Sequence, residues 1–114
     1  MKQKTISFLF FLLFSCTLRL SAAYLLIPMD DKQQDHLKAY GLAYWMLEQQ
    51  TDVDWLLNYR GGSFMFKYHE VFQNECIIRG ISFEVIADVQ STAILREIAD
   101  PESNKDVIKL HKAP

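Results

Sequence analysis

Arg60-Gly61-Gly62-Ser63 follows a strand-like apolar run and carries the first recognisable chemistry in this 114-residue chain. Two adjacent glycines let backbone N–H groups approach a ligand, and the forked guanidinium beside them matches a carboxylate or phosphate. Asp30 and Asp88 close two other strand-like runs, so the candidate ligand-binding set is Asp30, Arg60, Gly61, Gly62, Ser63 and Asp88. The competing use is structural: the glycines make a turn, and Arg60 pairs with Asp30 or Asp88. The loop fits neither the GxxxxGK[ST] nor the GxGxxG phosphate-binding pattern.

No catalytic or metal set stands out beside it. His36, His69 and His111 lie far apart, without metal-ligand spacing. His69, near the Arg60 loop, is a minor candidate, and His36 reads as solvated. Ser63 has no neighbouring base and suits a cap or turn. Cys76 reads as a small buried hydrophobe. Trp45, Trp55, Tyr40, Tyr44 and Tyr59 read as core. Catalytic residues and cofactor stay unassigned, and the small-anion site is the one ligand reading these residues supply.

The elements that must position this set read as strand-then-helix units. Tyr24–Met29 is a short apolar strand ended by Pro28 and Asp30. The stretch DDKQQDHLKAYGLAYWMLEQQ is a helix with Leu37, Tyr40, Gly41, Tyr44 and Leu47 on one face. Asp31 and Gln34 suit a capping box, and Gly41 suits close approach to a sheet. Val53–Tyr59 alternates as a strand. A second helix is expected over about Tyr68–Arg79, with Gly80 as its C-cap glycine. Ile81–Ala87 reads as a strand near an edge. DVQSTAILREIAD reads as a third helix, packing Ile94, Leu95 and Ile98 and halted by Pro101; VIKL is a further extended piece.

Strands separated by helices predict parallel pairing with right-handed crossovers, hence an α/β fold with a Rossmann-like or flavodoxin-like sheet. Ligands then bind beyond the carboxyl ends of the strands. Three loops leave those ends: Asp30-Asp31, Arg60 to Ser63, and Asp88-Val89-Gln90, where a following helix N-terminus favours an anion. Three helices cover both faces of such a sheet only in part. The unit is therefore expected to be incomplete, finished by further chain or by a partner.

The first 23 residues have the charged, apolar and small-residue regions of a secretory leader, with Lys2 and Lys4, Ile6–Phe14, then Ser21-Ala22-Ala23. Cleavage after Ala23 predicts a periplasmic or secreted chain starting at Tyr24, with no membrane span left. LFSC, ending at Cys16, supports the alternative of a lipid anchor. Removing Lys2, Lys4 and Arg19 leaves nine basic against fourteen acidic residues in 91, a net charge of −5. That charge argues against nucleic acid and anionic membrane surfaces as partners. Cys76 is then the single cysteine, so no internal disulfide forms.

LLIPMDDKQQDHLKAYGLAYW, VDWLLNYRGGSFMFKYHEVFQNECIIRGISFEVIAD and EIADPESNKDVIKLHKAP resemble the N-terminal region of secreted Bacteroidota proteins commonly labelled asparagine synthetase B. The resemblance spans essentially the whole mature chain. It implies an α/β fold and a protein several times longer, with catalytic residues of hydrolase or amidotransferase type beyond Pro114. None of the residues of glutamine-dependent asparagine synthesis is carried over: Lys2 follows Met1, and Tyr24 begins the expected mature chain. A non-catalytic envelope module binding a small anion or a partner protein is the alternative, and asparagine synthesis itself ranks last.

Overall fold

The computed structural model describes residues 21–113. Most of the leader, Cys16 included, lies outside the described residues. The elements run β1 (Tyr24–Ile27), α1 (His36–Glu48), β2 (Val53–Leu57), β3 (Ser63–Lys67), α2 (Glu70–Arg79), β4 (Glu84–Ile86), α3 (Asp88–Ala99) and β5 (Asp106–Leu110). The fold is α/β, but the expected parallel, Rossmann-like or flavodoxin-like sheet is not what forms. Five strands lie in the order β4-β1-β3-β2-β5, and every neighbouring pair is antiparallel.

The reason is β3. Ser63-Phe64-Met65-Phe66 is buried at all four positions, so it shows none of the alternation that marks a half-buried strand. It follows β2 as a hairpin and inserts between β1 and β2, which run in the same direction but never touch. In the same way β3 and β4 flank β1. This βαββαβ connectivity is that of ferredoxin-like domains, with α3 and β5 added. Helix α1 joins β1 to β2 across β3, α2 joins β3 to β4 across β1, and α3 joins the two edge strands β4 and β5 across the other three.

Register assigns the two faces. Leu25, Ile27, Val53, Phe64 and Phe66 pack with Ala39, Leu42, Ala43, Met46 and Leu47 of α1 and Cys76 of α2. Leu26, Leu56, Met65 and Ile86 point to the opposite face, where Ile94 and Ile98 of α3 cover them. Full burial of one such aliphatic side chain stabilises by roughly 1.5–3 kcal/mol.

Two expectations for α1 change. Asp35, not Asp31, caps it, its carboxylate accepting the Lys38 N–H at 3.0 Å. Its buried face is Ala39, Leu42, Ala43, Met46 and Leu47, while Leu37, Tyr40 and Tyr44 face outward. Gly41 is exposed as well, and an added Cβ would meet nothing. Gly80 ends α2 in the left-handed conformation at φ +70°, as expected of a C-cap glycine. α3 ends at Ala99, just before Pro101, and its Gln90 side chain accepts the Ala87 N–H at 2.8 Å.

Candidate functional site

The Arg60 segment is the loop of the β2–β3 hairpin, not a strand-to-helix turn, so no helix N-terminus follows it. Asn58, Arg60, Gly61 and Gly62 all have positive φ, at 61°, 43°, 81° and 88°. Glycine is obligatory at 61: a Cβ there would collide with the Met29 carbonyl. That close approach lets the Met29 N–H donate to the Arg60 carbonyl at 3.2 Å and to Ser63 Oγ at 3.3 Å. Ser63 Oγ in turn donates to the Arg60 carbonyl at 3.0 Å. Gly62 gives its carbonyl to the Trp55 indole N–H at 3.1 Å. The loop is thereby fastened to the segment leaving β1.

The Arg60 side chain completes the attachment. Its Nε donates to Asp30 Oδ2 at 2.8 Å, and Nη1 donates to Glu84 Oε2 at 2.7 Å. The hydrogen bond from Arg60 holds the Asp30 carboxyl below its ordinary value, against the opposing effect of burial. The same bond, with a second to Glu84, raises the Arg60 guanidinium. Two carboxylates on one guanidinium leave a locally negative group, which disfavours a further anion.

A second lattice lies beside it. The buried Gln33 amide donates to the carbonyls of Pro28 and Ser82, each at 2.9 Å, and its oxygen accepts the Ser82 N–H at 2.8 Å. His36 Nε2 lies 3.0 Å from the carbonyls of both Met29 and Asp30, where an Nε2 proton is shared between them.

Asp30, Arg60, Gly61, Gly62 and Ser63 therefore come together, and Asp88 does not. Asp88 opens α3 after Ile86, and Ile86 is paired with Tyr24, the first residue of β1. Asp30 follows the other end of β1. A parallel sheet would have put all three loops on one edge; antiparallel order sends Asp88 to the opposite edge. Glu84 takes the place expected for Asp88, because its register opposite Leu26 brings it towards Asp30. Glu84 was missed in the sequence because its place follows from strand register and from no local motif.

His69 caps α2, its Nδ1 accepting the Val71 N–H at 3.2 Å, beyond the far end of β3. His111 pairs with Asp52 at 3.1 Å on the surface. Burial pushes the Cys76 thiol up to about 11, so it is a poor nucleophile at neutral pH. Among the described residues no three His, Cys, Asp or Glu side chains are grouped to hold a metal ion, and no helix is long and apolar enough to cross a membrane.

The comparisons with known proteins add nothing to this geometry. No family model, curated protein or solved structure matches the chain.

The other notable surface is apolar. Leu37 is 84% exposed, Tyr40 49% and Tyr44 46%. The two tyrosines lead into a shallow apolar groove of about 200 Å³ formed with Leu47, Trp55, Phe64 and Leu110.

Proposed function

We propose that this chain is the N-terminal part of a secreted protein of the kind labelled asparagine synthetase B, and that its five-stranded unit binds protein while the chemistry lies beyond Pro114. The outward face of α1 supports the protein-binding part of this reading, and the rest comes from the sequence resemblance. Leu37, Tyr40 and Tyr44 form one continuous apolar strip at helical spacing, beside a groove with almost no polar lining. Contiguous apolar surface of this kind marks an interaction site, whereas singly scattered apolar residues carry no such meaning. Protein that packs on α1 also gives the exposed Gly41 a use, since a residue without Cβ permits close approach.

The small-anion reading of the Arg60 loop has less support, because Asp30 and Glu84 already neutralise Arg60. An anion there would have to displace Glu84. Amide transfer to aspartate has no residue here to carry it.

Covalent footprinting of the native envelope protein tests the main reading. Tyr40 and Tyr44 should be shielded from a solvent-borne label in the native protein, and Leu37→Asp should expose them. Native tyrosines labelled as freely as in denaturant would refute the reading.

A further inference from the structure

We propose that the corner of the sheet left bare by α3 binds a small zwitterion, its ammonium on Asp54 and its anionic group on Lys67 and Lys109. The site lies on the opposite face from the α1 strip and is independent of the protein-binding reading. α3 starts just after Ile86, at the Tyr24 end of β1. It finishes before Asp106, which pairs with Leu57 at the other edge of the sheet. The helix therefore crosses this face diagonally, covering Leu26, Leu56, Met65 and Ile86. Over the uncovered ends of β3, β2 and β5 lies a cavity of about 340 Å³, a volume within the small-ligand range.

Register brings charge to this corner from three strands. Asp54 stands opposite Met65 on one side and Lys109 on the other, so all three share the α3 face. Lys67, two residues beyond Met65, falls on the same face. Unlike charges directly opposed across strands attract. Among the described residues, however, none of Asp54, Lys67 and Lys109 forms an ion pair. Burial pushes the half-buried Asp54 carboxyl above its ordinary value of 3.8, and Lys109 offsets this only in part. A ligand ammonium supplies the counter-charge that is lacking.

The lining also selects the class of ligand. Asp52 and Asp54 balance Lys67 and Lys109 around the cavity, so a neutral ligand carrying both charges complements it better than a single ion. Acid and base stand on neighbouring strands, about 4.8 Å apart. That separation favours charges at opposite ends of a short chain, as in an ω-amino acid.

The test follows amide shifts of the isotope-labelled full chain during titration with γ-aminobutyrate, which carries both charges. Butyrate and butylammonium, which carry one each, are titrated in parallel. γ-Aminobutyrate should shift the amides of Asp54, Lys67 and Lys109 saturably in the millimolar range, and each single-charge probe should bind about tenfold more weakly. Asp54→Asn and Lys109→Gln should each weaken γ-aminobutyrate by about tenfold while leaving the amides of α1 and α2 in place. Butyrate binding as tightly as γ-aminobutyrate overturns the proposal in favour of a plain anion site, and butylammonium doing so overturns it in favour of a cation site. Shifts that never saturate, or that both variants leave unchanged, also overturn it and leave these charges as a solvated sheet face.

Discussion

Arg60 takes part in two ion pairs from a backbone position that arginine rarely adopts. Its φ of +43° is tolerated because Asp30, Glu84, Ser63 and the Met29 amide fix the loop from several directions. Arg60→Gln is expected to lower the melting temperature by a few degrees. It should also change the acid limb. The Asp30 carboxyl is depressed in the fold, so the stability it contributes is present above its ordinary value of 3.8 and is lost as pH falls through the lower folded value. Thermal melts between pH 2 and 6 should therefore fall less steeply in Arg60→Gln than in the parent; parallel curves would show that the pair is uncoupled from folding. Gly61 makes a separate demand. Gly61→Ala combines a left-handed φ with a collision at the Met29 carbonyl and should destabilise by at least about 2 kcal/mol. Gly62→Ala has comparable φ, but its Cβ would sit 3.3 Å from Trp55 Nε1, so its loss should be smaller. Equal losses in denaturant titrations would mean that φ alone matters. The pairing of Arg60 with Asp30 was legible in the sequence as the structural alternative; the contribution of Glu84 depended on register.

At the scale of elements, α1 shows how periodicity can choose the wrong face. Leu37, Tyr40, Tyr44 and Leu47 share helical spacing, and so do Ala39, Leu42, Ala43 and Met46. The second set faces the sheet and shares one core with Phe64 and Phe66. A helix apolar on two sides has two acceptable phases, and only the shape of the opposing surface selects one. Gly41→Ala discriminates between them. On an exposed face the substitution should add about 1 kcal/mol of stability, roughly 4–8 °C in melting temperature. A loss in the same melts would restore the close contact with the sheet that the periodicity implied. β3 was hidden for a related reason: both faces of the sheet are covered there, so four successive residues are buried and the period-2 signal disappears. Its neighbour β2 alternates and was found.

At the scale of the whole molecule, α3 closes the second face. Ile98 is buried, and Ile94 packs beside it over Leu26, Leu56, Met65 and Ile86. Ile98→Ala should cost about 3 kcal/mol. The loss should be local as well as global: amide exchange in α3 should accelerate more than in α1, whose contacts belong to the opposite face. Uniform acceleration would mean that the two faces open as one unit. The groove beside Tyr40 and Tyr44 belongs to this scale too, since Trp55, Phe64 and Leu110 reach it from three different strands.

The sequence alone determined the α/β class, most element positions, the C-cap at Gly80, the edge placement of β4 and the burial of Cys76. Each follows from local causes: turn residues, caps and short-range periodicity act within a few positions of one another. Strand order, the insertion of β3, the buried face of α1 and the recruitment of Glu84 to Arg60 were decided only in the tertiary structure. These depend on which surfaces pack together between separate elements, and a chain with apolar residues on both sides of its strands and of α1 leaves more than one local pattern compatible with burial.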